Sequence, residues 1–200
     1  MVEAARTLLP LPALLGRVAV LGGTVTEKTT LLIGLALRQV RQHGTVLCLD
    51  ARRQKQTEVQ FRLLLRRSAS YVPLPTSGIV SDEIAQTVLS TVSRALSGEP
   101  SQPPLLLLDS VLEDRAWERT VTFLLNAGVT VVELLPSPAS LVFGRYDTVL
   151  LLRADIGTAD ALSRAVGRKV SAAELVNLQA GAGVLIHLAR VQWVALPEAP

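Results

Sequence analysis

One stretch of this chain has the residue types and spacing for chemistry: Val18-Ala-Val-Leu-Gly-Gly-Thr-Val-Thr-Glu-Lys-Thr-Thr30. An apolar run ends in glycines, and Lys28 and Thr29 then open a helical pattern. This order fits the phosphate-loop template G-x-x-x-x-G-K-[ST], with Gly22, Lys28 and Thr29 in register. Such a loop binds anions. Glycines let the backbone curl so that its N–H groups point inward, and the following helix presents its positive end. The lysine reaches the outer phosphates and the threonine hydroxyl binds magnesium. Gly22, Gly23, Thr24, Val25, Thr26, Glu27, Lys28, Thr29 and Thr30 are therefore the candidate ATP-binding residues, with Thr29 also a magnesium ligand. Two residues oppose this. Glu27 stands where the template has its second glycine, so it restricts the backbone and carries negative charge towards phosphate. Val25 adds a β-branched residue where the loop should stay open.

A second element is Pro104-Leu-Leu-Leu-Leu-Asp109. An apolar strand ending in aspartate holds the magnesium shell in phosphoryl-transfer proteins, which makes Asp109 a candidate metal and catalytic residue. Ser110 follows, where ATPases often carry a water-activating glutamate. Glu113 can take that part if the backbone turns it back. A third element is basic. Arg52, Arg53, Lys55, Arg62, Arg66 and Arg67 lie in a segment whose one acid is Glu58. It suits the phosphate backbone of DNA or an acidic partner. It equally suits a solvated helix whose arginine stems cover apolar surface.

The elements that must position these residues follow from pattern and composition. Apolar residues make up 49% of the 200, against 18% charged, which excludes a disordered chain. Aromatics are 4%, so the core must be branched aliphatic, as in a buried sheet covered by helices. The length suits one domain, 1–200. Strands are expected at 17–21, 45–49, 70–74, 105–108, 129–135 and 148–152, with a terminal hairpin at 183–188 and 191–196. Helices are expected at 28–42, 54–67, 81–96, 115–127 and 159–166. Gly44 is expected to end the first of these. Ser171-Ala-Ala-Glu174 has capping-box spacing and opens a short helix. Strands that alternate with helices and are apolar on both faces predict an α/β fold with a mostly parallel sheet. Ligands of such sheets sit at the carboxyl ends of the strands.

The remaining composition narrows the classes. One cysteine, Cys48, excludes a disulfide framework and a cysteine-rich zinc site. His43 and His187 are too far apart in sequence to suggest a metal cluster. A net charge of +3 permits an acidic partner. No apolar run reaches the ~18 residues that span a membrane. Residues 1–16 imitate a secretory signal, but Glu3 and two prolines break the pattern, so a cytoplasmic protein is expected.

LGGTVTEKTTLL resembles the LGxTGSGKT segment of the HerA/FtsK superfamily, the RecA-like motors that translocate DNA and include type IV secretion coupling proteins. The likeness continues through TVLCLDARR, PLLLLDS and NAGVTVVELLPSPASL. The tail, DTVLLLR and ELVNLQAGAGVLIHLARVQWVALP, is similar to the family's short helix, Leu-x-x-Gly and closing hairpin. The resemblance implies a RecA-like P-loop NTPase fold with a C-terminal β-hairpin, ATP and Mg2+ as cofactors, DNA as partner, and a homo- or hetero-oligomer. The departures from the family gather at one site. Val25 and Glu27 replace its glycines, and Ser110 its acidic residue. No glutamine occurs from 131 to 139, and no arginine between Thr120 and Gly128. What this implies is a degenerate member with weak or absent hydrolysis, acting as a DNA-associated or assembly subunit. The alternatives are an active ATP-dependent motor domain completed by a neighbouring subunit, and a regulator that binds another protein only. Arg145, Arg153, Arg164 and Arg168 are candidates for an intersubunit arginine, and the sequence selects none of them.

Overall fold

The computed structural model describes residues 7–9, 14–50, 58–59, 61–62, 69–73, 82–97, 104–109, 115–142, 144–188 and 190–197. Their strands are β1 (Thr7–Leu8), β2 (Arg17–Leu21), β3 (Val46–Asp50), β4 (Ala69–Pro73), β5 (Leu105–Leu108), β6 (Thr130–Leu134), β7 (Thr148–Leu151), β8 (Ala182–His187) and β9 (Arg190–Ala195). The helices are α1 (Val25–Arg41), α2 (Asp82–Ser97), α3 (Arg115–Asn126), α4 (Ile156–Ala165) and α5 (Ala172–Val176). All nine strands join one sheet in the order β1-β9-β8-β7-β2-β6-β5-β3-β4. The run from β7 to β4 is parallel. The hairpin β8–β9 is antiparallel to β7 and carries β1 along its far edge.

Period two along the strands fills both faces. Val18, Val20, Cys48, Leu107, Val132 and Leu150 point to the face covered by α1, against Leu31, Leu32 and Leu35. Alternate residues turn the other way. Leu47, Leu49, Leu106 and Leu108 meet Val88 of α2 and Trp117 and Val121 of α3, while Ala19, Leu21 and Leu151 meet Ala159 and Leu162 of α4. This two-sided burial explains why the strands read as unbroken apolar runs.

Several boundaries differ from the sequence expectation, each for a local reason. Helix α1 begins at Val25 rather than 28, because Thr24 caps it. It ends through His43, which takes the left-handed backbone at φ 59°. Gly44, expected as the stop, is required for space instead: a Cβ there would lie 2.2 Å from the Gln39 amide nitrogen. Asp50 is the last residue of β3, not the residue after it. Helix α4 starts at Ile156, capped by Asp155, whose carboxylate accepts from the N–H groups of Gly157 and Thr158 at 3.1 and 3.0 Å. Strand β1 has no counterpart in the expectation, since two residues carry no readable period. Both ends of the described chain lie on α1. Arg38 donates to the Leu9 carbonyl, and Gly34 leaves room for the Pro197 carbonyl, which a Cβ would meet at 2.6 Å.

A charged network crosses the interior. Glu133 of β6 is fully buried and accepts from Arg17 at 2.9 and 2.8 Å. The same guanidinium donates to both carboxylate oxygens of Glu118 on α3, which also pairs with Arg145. Tyr146 lies beneath Arg17, with its ring centroid 5.2 Å from the guanidinium carbon. Burial works against the Arg17 charge, yet the two carboxylates more than offset it and hold the guanidinium protonated. No helix among the described residues is long and apolar enough to cross a membrane.

Candidate functional site

The parallel strands end along one edge of the sheet. There lie Gly22 after β2, Asp50 and Asp109 at the ends of β3 and β5, and the turn after β6. A cavity of about 510 Å³ opens on this edge, walled by Gly22, Gly23, Lys28, Pro136, Arg153 and Asp155. The segment matched to the phosphate-loop template lies here, as the sequence predicts.

Its internal geometry differs from an open cradle. Only Gly22, Gly23 and Thr24 separate β2 from α1, since Val25, Thr26, Glu27 and Lys28 form the first helical turn. Gly22 and Gly23 take φ of 78° and 69°, which only glycine adopts without strain. Their freedom lets the chain pass beneath the end of β7. A Cβ on Gly22 would lie 2.6 Å from the Leu152 carbonyl oxygen, and the Gly23 N–H donates to the Arg153 carbonyl at 2.7 Å. The Thr24 N–H donates to the Glu27 carboxylate at 2.7 Å, and the Glu27 N–H returns to the Thr24 hydroxyl at 3.2 Å. This is a reciprocal capping box at the positive end of α1. The negative charge that a helix N-terminus attracts is thus supplied by the chain itself. Arg153 stands 3.8 Å from the same carboxylate.

Lys28 is buried, 7% exposed, and its Nζ donates to the Leu135 carbonyl at 2.9 Å. Thr29 is half-buried on the second turn, with Thr30 exposed beside it. A triphosphate in this loop would meet its backbone N–H groups, those of Gly23 and Thr24 among them, and would approach the Glu27 carboxylate. Both amides are engaged, and the carboxylate repels phosphate. As arranged, the loop sets a carboxylate and two engaged N–H groups where a magnesium nucleotide requires open donors, which does not fit that group.

On the other side of the Glu27–Arg153 pair a second cavity, about 360 Å³, is lined by Leu31, Leu152, Ala180, Leu196 and Pro197. Farther along the sheet edge, Asp109 is buried and its N–H donates to the Leu49 carbonyl at 3.2 Å. Asp50 is fully buried and accepts from the Tyr71 hydroxyl. Burial, then Asp109 and Asp50, push the Cys48 thiol well above its usual range, so it remains protonated. Among the described residues no three His, Cys, Asp or Glu side chains are grouped to hold a metal.

Several candidates from the sequence fall elsewhere. Glu113, Arg52, Arg53, Lys55, Arg66 and Arg67 lie outside the described residues. Arg62 is helical, exposed and paired with Glu58 at 2.7 Å, as expected of a solvated helix face. Sequence reasoning missed the role of Glu27 as a cap. The signal was present: Thr24-x-x-Glu27 has the same spacing as Ser171-x-x-Glu174, which forms an identical capping box. The overlapping phosphate template hid it. Asp155 was missed as well.

The architecture is shared with known structures. The DNA-packaging ATPase B204 of Sulfolobus turreted icosahedral virus matches with a TM-score of 0.66 over 90% of this chain and 97% of that one, at 9% identity. The genome-packaging NTPase B204 of Sulfolobus turreted icosahedral virus 2, in complex with ATPγS, gives 0.61 over 92% and 98%, at 9% identity. VirB4 of Thermoanaerobacter pseudethanolicus gives 0.55 over 92% and 90%, at 11% identity. No family model matches the chain, and no curated protein matches it. At such identities the likeness shows the fold alone. This is the RecA-like P-loop NTPase fold, with a mostly parallel sheet and a C-terminal hairpin.

Proposed function

We propose that this protein is a subunit of a larger assembly in which the RecA-like fold serves as scaffold and ATP is not hydrolysed. The observation that carries the reading is the Glu27 carboxylate on the Thr24 N–H, occupying with the chain's own charge the place where the template binds phosphate. Lys28 supports it, because the nitrogen that would reach the outer phosphates is buried against the Leu135 carbonyl. DNA association belongs to the same reading, since the proteins of similar fold include a DNA-packaging ATPase.

Calorimetric titration with Mg-ATP tests the loop directly. The expected result is no heat from the native protein, or from Lys28→Ala, at concentrations that detect a millimolar site. Glu27→Gly, which frees the Thr24 amide and removes the resident charge, should gain measurable affinity for nucleotide or inorganic phosphate. Native binding that disappears in Lys28→Ala would overturn the reading. It would favour an active ATPase, for which the cavity of about 510 Å³ beside Lys28 is the supporting observation. Duplex DNA binding, followed by fluorescence anisotropy at low salt where phosphate contacts are strongest, separates a DNA-associated subunit from a protein-only one.

A further inference from the structure

Two cavities flank Glu27, and the smaller one, about 360 Å³, has no part in the reading of the loop. Ligand sites for small molecules begin at roughly this size, about 300 Å³. Leu31 of α1 and Leu152 after β7 line it, both buried. Leu196 and Pro197 reach it from the end of β9, and Ala180 and Ala182 from the start of β8. Backbone hydrogen bonds fix these walls. The Leu196 N–H donates to the Gly181 carbonyl at 2.8 Å, and the Ala182 N–H to the Gln179 carbonyl at 3.1 Å. Glycines allow the close packing behind them. Gly34 admits the Pro197 carbonyl, and a Cβ on Gly183 would lie 3.0 Å from the Leu196 side chain. The apolar space is therefore formed before any occupant arrives.

Among the described residues two charged side chains line it, Glu27 and Arg153, and both also line the larger cavity. They are not equally satisfied. Glu27 accepts from the Thr24 N–H at 2.7 Å and sits at the positive end of α1. Arg153 stands 3.8 Å from Glu27, beyond hydrogen-bond reach, and its side chain is 49% exposed. A guanidinium carries five N–H donors in a planar fork that matches a carboxylate. Here that fork lies at the rim of an apolar cavity without a hydrogen-bonded acceptor among the described residues.

We propose that this cavity binds a small organic acid, one carboxylate on an apolar body. The carboxylate sits in the Arg153 fork, and the body packs against Leu31, Leu152, Leu196 and Pro197. A single charge is required because Glu27 stays close. A second negative charge would meet that carboxylate with no further cation lining the cavity. An amine fits less well. It would stand against Arg153, while Glu27 already has its donor. The site lies on the far side of the Glu27–Arg153 pair from Lys28, so it goes beyond the reading above and does not rest on it.

Titration of the full chain with hexanoate at neutral pH, followed by methyl NMR, tests it. Hexanoate should shift the methyls of Leu31, Leu152 and Leu196. It should bind about tenfold more tightly than hexanol or hexylammonium, its uncharged and cationic analogues, the worth of a charge-assisted hydrogen bond. Arg153→Gln should remove that advantage and leave hexanol binding unchanged. Ala180→Phe should exclude all three by filling the space. Both substituted positions are exposed, so folding should persist, and circular dichroism checks it. No binding of hexanoate, equal binding of the three probes, or methyl shifts confined to other parts of the protein would each overturn the proposal. So would hexanoate binding that either substitution leaves unchanged. Adenosine that occupies the same cavity more tightly than hexanoate would also overturn it and return the space to a nucleoside. Mg-ATP binding that disappears in Lys28→Ala would sink the reading of the loop and leave the hexanoate result standing. Loss of hexanoate binding alone would sink only this one.

Discussion

Glu27 and Lys28 are neighbours whose side chains serve the protein in different ways, and stability measurements separate them. Glu27 closes the capping box, so Glu27→Gly should cost about 1–2 kcal/mol, the usual worth of a cap plus the flexibility of a helical glycine. The Lys28 ammonium is buried on a carbonyl, so Lys28→Ala should cost about 1–3 kcal/mol in urea denaturation, through the lost charged hydrogen bond and the acceptor left behind. In an open phosphate loop that lysine would point into solvent and its removal would be nearly neutral for folding. A midpoint for Lys28→Ala equal to the native one would therefore count against the closed loop. Glu118 adds a pH prediction. Its hydrogen bond to Arg17 holds its carboxyl below the ordinary range. A folded-state value below the unfolded one contributes stability that is present above the unfolded value, about 4.5, and is lost as pH falls through the folded value. The urea midpoint should fall on acidification through this range, and Glu118→Gln should flatten that slope.

At the level of elements, the alternation of strands and helices was readable because both sheet faces are buried, leaving runs such as Leu105–Leu108 without a polar residue. Helix starts were less readable wherever the first turn is exposed. Ile156 breaks the apolar stripe of α4, and Val25 lies outside that of α1. The site was legible as a place but not as a state: the glycines and Lys28 are where the template puts them, while tertiary contacts with Leu135 and Arg153 decide what they bind. Glu133 gave no sequence signal at all, since a lone acid within TVVEL reads as an exposed position of a strand. Its burial depends on Arg17, which is distant in sequence. Glu133→Ala should cost about 3–5 kcal/mol, because Arg17 keeps its charge and loses a buried partner. The double variant Arg17→Met, Glu133→Leu should be closer to native than Glu133→Ala alone. Chemical denaturation of the native protein and the two variants decides this.

Across the whole molecule, protection should follow the sheet order. Amides of β2, β6 and β5, flanked by strands on both sides, should exchange at rates set by global unfolding, while those of β4 and β1 at the sheet edges exchange first. Uniform protection from edge to edge would contradict the arrangement described. Strand β1 has one further consequence. Thr7 and Leu8 pair with Val194 and Ala195, almost the full length of the chain away. A polypeptide emerging from the ribosome makes β1 long before β9, the strand it joins, is synthesised. Leu9, buried in the finished protein, has its N–H on the Ala195 carbonyl at 2.8 Å and lacks that partner until β9 arrives. Translation therefore leaves an interval in which β1 and Leu9 are sticky while the strands between them and β9 are already made. That is when a chaperone would engage the nascent chain, and when slow synthesis of the final hairpin would favour aggregation over completion.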